Sequence, residues 1–139
     1  MVTKIIEMNQ TRSVETGKPL SFIKGRIKSF GYAWAGIHKF FATEKNAQVH
    51  LAAAVLVICF SMLLRINRTE AVILVFAIAL VWITEMFNTA IERAMDFISI
   101  ERNPYIKTIK DMAAGAVLVA TTAAVLAGAF IFIPKLLAL

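Results

Sequence analysis

The stretch AVILVFAIALVWITEMFNTAIERAMD, residues 71–96, opens with an unbroken apolar run from Ala71 to Ile83 and closes with Thr84, Glu85, Asn88, Thr89, Glu92 and Asp96. At about 100° per residue of α-helix, the side chains at 85, 88, 92 and 96 fall within an arc of about 80°. The stretch therefore predicts one long helix, apolar all round over its first half and bearing a narrow polar face over its second. With a rise of about 1.5 Å per residue and membrane entry near position 70, Glu85 lies about 22 Å along the helix, in the far half of a hydrocarbon core about 30 Å thick. Glu92 is then expected near the headgroups and Asp96 at or beyond them.

Two further apolar runs flank this one. The segments at about 47–65, 70–98 and 110–139 each approach or exceed the roughly 20 residues needed to cross a bilayer as a helix. They are continuous runs, not the alternating segments of about ten residues that a barrel requires. The predicted fold is an all-α integral membrane protein with three transmembrane helices, joined by short connections at 65–69 and 99–107. Before them, Phe22, Ile23, Ile27, Phe30, Trp34, Ile37 and Phe41 recur at helical spacing, with Lys24, Arg26, Lys28 and Lys39 between them. That pattern predicts an amphipathic helix over 21–42 lying on the membrane surface. Residues 1–20, with Gly17 and Pro19, have no sustained period and are expected to form a polar tail. The tail lacks the apolar core of a cleaved signal peptide.

Composition agrees: 59% of residues are hydrophobic, against about 45–50% in soluble proteins. The formal net charge of +6 could suggest a nucleic-acid partner, but the basic residues lie mostly outside the apolar runs. Twelve of the fifteen fall on the N-terminal side or near the second connection, and three near the first connection or C-terminus. The charge is read as topology, with no nucleic acid implied: the N-terminus and second connection face the cytoplasm of a multi-pass protein in the cytoplasmic (inner) membrane. Cys59, the only cysteine, permits no intrachain disulfide and is expected to be a small buried hydrophobe.

A carboxylate at the depth of Glu85 costs several kcal/mol to insert unless paired or hydrated, about +3 on insertion scales, so it points to function. It is placed to act as general base on a hydroxyl. Glu92, nearer the surface, suits a hard divalent cation such as Mg2+, which takes a few carboxylate oxygens and leaves positions for phosphate. A second carboxylate is needed, and Glu44, between the surface helix and the first span, is at the right depth. Lys107, Lys110, Arg26 and Lys28 supply cationic groups on the same side for a polyphosphate. No Walker A sequence is present. A polar stripe that only glues helices together explains Thr84 and Asn88, but not three acids in register. Two other classes remain: a small ion- or proton-conducting oligomer, which lacks polar steps through 71–83, and a noncatalytic scaffold, which leaves the acidic face unexplained.

The row Glu85-Met-Phe-Asn88-Thr-Ala-Ile-Glu92-Arg-Ala-Met-Asp96, followed by Lys110-Asp111-Met-Ala-Ala-Gly-Ala-Val-Leu, resembles the signature of the prokaryotic diacylglycerol kinase family. Gly31-Tyr32-Ala33-Trp34-Ala35-Gly36 and Glu44-Lys-Asn46 extend the resemblance to about residues 21–135. The resemblance implies a homotrimer that transfers the γ-phosphate of ATP to a lipid alcohol. By position, Glu85 is the implied base on the lipid hydroxyl, while Glu44 and Glu92, supported by Asn88, are the implied magnesium site. Tyr32, Lys110 and Asp111 match nucleotide-contacting positions, Glu101, Arg102 and Asn103 match a nucleotide-contacting stretch, and Arg26 and Lys28 match approximately. Two departures stand out: Asn103 precedes Pro104 where many relatives have histidine, and Gln48 stands where undecaprenol kinases often have arginine. Asn46, His50 and the Ala113–Leu118 segment resemble the undecaprenol kinase branch, so the reading leans to undecaprenol over diacylglycerol as substrate.

His38 and His50 are expected to pack at the interface, not to bind metal. Trp34, Tyr32 and Tyr105 are expected headgroup anchors, with Trp82 deeper, facing a neighbour or lipid. Ala113, Ala114, Gly115, Ala116, Ala123, Ala124, Ala127 and Gly128 give the third span a small-residue surface for close packing.

Overall fold

The computed structural model describes residues 19–99 and 101–138, with side chains from residue 23 onward. All regular structure among them is helical: α1 Pro19–Thr43, α2 Lys45–Leu63, α3 Arg68–Ile98 and α4 Pro104–Leu137. The chain divides into two units, one ending at Lys39 and the other beginning at Phe40. The expected tail 1–20 lies outside the described residues up to residue 18, whereas Pro19 and Leu20 already belong to α1. Pro19 suits a first helical turn because its missing N–H needs no partner there.

In the first unit, the apolar face expected of the surface helix is present and uncovered within that unit, with Ile27 65%, Phe30 76% and Trp34 71% exposed. Ser29 Oγ donates back to the Gly25 carbonyl at 3.0 Å.

The second unit begins with the end of α1. A single extended residue, Glu44, separates α1 from α2. Gln48 caps the junction, since its Nε2 donates to the carbonyls of Phe41 at 3.3 Å and Ala42 at 3.4 Å, groups a helix end leaves without internal partners. Helix α2 ends in a Schellman motif: Ile66 N donates to the Ser61 carbonyl at 3.2 Å and Arg65 N to the Met62 carbonyl at 3.4 Å. Arg65 takes the left-handed position this motif requires, with φ 47°.

A capping box opens α3. Asn67 Oδ1 accepts from Glu70 N at 2.9 Å, and Asn67 N donates to Glu70 Oε2 at 2.7 Å. The same Glu70 oxygen meets Lys135 Nζ of α4 at 3.1 Å, tying the start of one helix to the end of the other. The three later helices are each long and apolar enough to cross a membrane. The first two predicted spans match α2 and α3 to within two residues at each end. The third begins earlier than expected, because Asn103 Oδ1 accepts from Tyr105 N at 2.9 Å and Pro104 occupies the first turn. The proline starts α4 where the sequence suggested a longer loop.

Helix α4 packs extensively on α3, while α2 touches α3 over a shorter length. Ala47 and Ala54 of α2, Leu74 and Val81 of α3, and Ala113, Ala120 and Ile131 of α4 are buried. Alanine at these contacts lets backbones approach, which in lipid substitutes dispersion packing for the missing hydrophobic drive between helices. Only part of the expected small-residue surface of α4 does this: Ala113 is buried and Gly115, Ala124, Ala127 and Gly128 are half-buried, whereas Ala114, Ala116 and Ala123 are exposed; Ala120, outside that expected set, is buried as well. Cys59, expected to be buried, is exposed, because α2 presents only one side to the bundle. Trp82 finds an intrachain neighbour, its ring meeting Phe41 edge-to-face at 5.1 Å between centroids.

Candidate functional site

The polar face of α3 survives as a graded face. Glu85 is 2% exposed and Asn88 7%, the two buried polar side chains among the described residues, Glu92 is half-buried and Asp96 exposed. The gradient follows the helix from the bundle interior to its end. Among the described residues no hydrogen bond or ion pair engages the Glu85 carboxylate. One turn on, Asn88 Nδ2 donates to Glu92 Oε1 at 3.2 Å, and Asn88 Oδ1 is buried without a partner.

The cations that the acidic row demands come from two directions. Lys110 of α4 pairs with Asp96 across the helix interface. Arg93 of α3 pairs with Glu44 at the α1–α2 junction, and its Nη2 also reaches Thr43 Oγ1 at 3.1 Å. The α1–α2 junction is therefore tied to the same end of α3 as Glu92. Asp111 pairs with Lys107, one turn away on α4.

The connection before α4 is exposed. Glu101 N donates to Ser99 Oγ at 3.1 Å, Asn103 spends its carbonyl oxygen on the α4 cap, and Arg102, Asn103, Pro104 and Lys107 line a shallow groove of about 440 Å³. Arg26, Lys28 and Tyr32 belong to the first unit, where the Lys28 ammonium lies 5.7 Å from the centroid of the Tyr32 ring. His38 is exposed in the same unit, and His50 lines a largely apolar cleft of about 280 Å³ with Trp82 and Thr121.

Oxygen is the donor atom throughout. Glu44, Glu92 and the orphaned Asn88 Oδ1 are hard ligands of the kind Mg2+ prefers, and Mg2+ needs only one or two carboxylates when phosphate and water complete its shell. Among the described residues no three of His, Cys, Asp or Glu gather into a cage of their own.

Sequence reasoning did not single out Arg93. Its position projects about 80° from Glu85, beside the acidic arc and not within it, and its partner lies at the other side of a helix break. A complementary charge next to a required carboxylate was the available signal, but the pairing depends on how α2 docks.

Apolar helices carrying buried Glu85 and Asn88, with carboxylates and cations gathered at one end, define a class: a multi-pass membrane protein with a polar site opening at one end of its helices. The family model described as prokaryotic diacylglycerol kinase matches residues 31–132. The chain belongs to that family. It is 40% identical to a diacylglycerol kinase of Synechocystis sp. over 114 residues, 81% of this chain and 65% of that protein, so the match spans just under two thirds of that relative. It is 39% identical to an undecaprenol kinase of Bacillus subtilis over 110 residues, 79% of this chain and 89% of that one. A diacylglycerol kinase of Pseudomonas aeruginosa is 33% identical over 100 residues, 72% of this chain and 81% of the other.

Proposed function

We propose that this chain is a lipid kinase that transfers the γ-phosphate of ATP to the hydroxyl of a lipid alcohol, undecaprenol or diacylglycerol, at the cytoplasmic face of the inner membrane. Its family and the kinase names of its relatives support the reading. The observation that carries it is the burial of Glu85 and Asn88 in line with Glu92 on one helix face. A membrane helix retains such groups at several kcal/mol of insertion cost, about +3 per charge, where they serve chemistry.

In this reading a lipid hydroxyl reaches Glu85 from the bilayer, and the Glu85 carboxylate takes its proton as the hydroxyl oxygen bonds to the γ-phosphorus. The bond from that phosphorus to the bridging oxygen breaks, ADP leaves, and the proton passes to water. Glu44 and Glu92, with Asn88 supporting them, are the residues that would hold magnesium. Bound there, the ion supplies charge neutralisation along the phosphates. By the resemblance, the nucleotide-contacting positions are Arg26, Lys28, Tyr32, Glu101, Arg102, Asn103, Lys110 and Asp111. Lys110 is held toward α3 by Asp96, a location suited to phosphate. Asn46 and His50 favour undecaprenol. The N-terminus and second connection face the cytoplasm, where ATP is, and the assembly is a homotrimer, as the resemblance implies.

The test is ATP- and Mg2+-dependent phosphate transfer by the purified chain in lipid micelles, with undecaprenol and diacylglycerol compared and Glu85→Gln as blank. Transfer that disappears in the variant is expected. No transfer to either lipid overturns the reading.

A further inference from the structure

The metal role proposed for Glu44 meets a competitor within the chain. The Arg93 guanidinium donates to Glu44 Oε1, and the Thr43 hydroxyl donates to the same oxygen at 3.2 Å. Both contacts fall on Oε1, and neither uses Oε2. Arg93 Nη2 also reaches Thr43 Oγ1 at 3.1 Å, so one cation clasps two consecutive residues of the α1–α2 junction.

The Arg93 side chain is 51% exposed and that of Glu44 29%. A half-exposed pair is weak and exchanges readily with water. Its partner residue has somewhere to go, because the guanidinium can turn outward without being desolvated. Glu92, the other carboxylate proposed for the metal, precedes Arg93 in the chain and is held by Asn88 instead.

From these contacts we infer that Arg93 is a displaceable counter-ion of Glu44: it positions the carboxylate and sets the affinity of the site by competing with a divalent cation for it. Arg93 is thus a positioning residue acting through Glu44, and the inference rests on the metal role of Glu44 in the proposed function. A cation arriving at Glu44 must replace the guanidinium, and the displaced charge remains next to the site. Removing it therefore tightens divalent binding, whereas a residue that merely braced the junction would loosen binding when removed.

The experiment measures Mn2+ binding to the full chain in detergent micelles by electron paramagnetic resonance, without nucleotide or lipid substrate. The proteins are the wild type, Arg93→Gln, Arg93→Lys, Glu44→Gln and the Glu44→Gln/Arg93→Gln double variant. Arg93→Gln is expected to bind Mn2+ about three- to fivefold more tightly, the scale set by a half-exposed ion pair. Arg93→Lys keeps the charge and should stay within about twofold of wild type, and the Arg93→Gln gain should vanish when Glu44 is already Gln. Unchanged or weaker binding in Arg93→Gln, the same gain without Glu44, or no Mn2+ binding by any of the proteins overturns the inference. Phosphate transfer by the wild type is assayed separately. Transfer without the Mn2+ pattern removes only the role of Arg93, and the Mn2+ pattern without transfer removes the kinase reading.

Discussion

Asn88 donates from Nδ2 to Oε1 of Glu92 one turn further along α3, at 3.2 Å, and keeps its own Oδ1 buried without a partner. The amide thus orients a carboxylate and offers an unused oxygen beside it. In the proposed site, Asn88→Ala removes both functions while leaving the helix intact. We expect the Mg2+ concentration for half-maximal transfer to rise, or activity to fall, by about 10- to 100-fold, the usual cost of losing a group that supports a metal ligand. A Mg2+ titration of transfer at saturating ATP is the measurement.

Glu85 is 2% exposed, so there is little freedom for its carboxylate to be replaced by water. Glu85→Asp keeps the charge but withdraws the carboxylate by one methylene, more than about 1 Å. A misplacement on that scale costs about 100-fold in rate. Transfer should fall by that order with helical content unchanged by circular dichroism. Near-normal transfer would remove Glu85 from the role of base.

The Asn67–Glu70 capping box lies at the opposite end of α3 from the proposed chemistry. Asn67→Ala leaves the Glu70 N–H without its side-chain acceptor and should cost about 1 kcal/mol of stability. Reversible unfolding in mixed detergent micelles should report that loss, with the rate of the proposed transfer unaltered in the folded protein.

Ala120 is 3% exposed at the helix interface, whereas Ala123, three residues on, is exposed. Ala120→Leu forces three additional carbons into a close contact and should destabilise by about 1–3 kcal/mol. Ala123→Leu should lie within about 0.5 kcal/mol of wild type. Equal effects at the two positions, measured by unfolding in the same micelles, would contradict the packing face assigned to α4.

Much of this was legible along the chain. Apolar runs long enough to span lipid admit little but helix, and the positions of Glu85, Asn88, Glu92 and Asp96 share a direction by helical geometry alone. Their gradient of burial, by contrast, is set by how far the neighbouring helices cover that face of α3. What escaped were features set by contact or by local competition. Pro104 reads equally as loop or first turn until Asn103 is seen to cap α4. Arg65 carries no sign of a left-handed backbone, since a Schellman motif usually recruits glycine. The outward position of Cys59 depends on how little of α2 its neighbours cover, and Arg93 finds Glu44 only through the docking of α2 against α3.

Helix α3 is 31 residues long, about 46 Å at 1.5 Å per residue, against a hydrocarbon thickness of about 30 Å. The surplus makes it a dipstick. Its apolar first half and the Glu70–Lys135 tie set one end, so the waterline at the other end is drawn by the host membrane. A thinner bilayer lowers that line toward Glu85, and a thicker one raises it past Glu92. For the proposed transfer, with Glu85 kept dry and Glu92 wet, the acyl-chain length of the surrounding lipid therefore tunes the rate as well as the protein does.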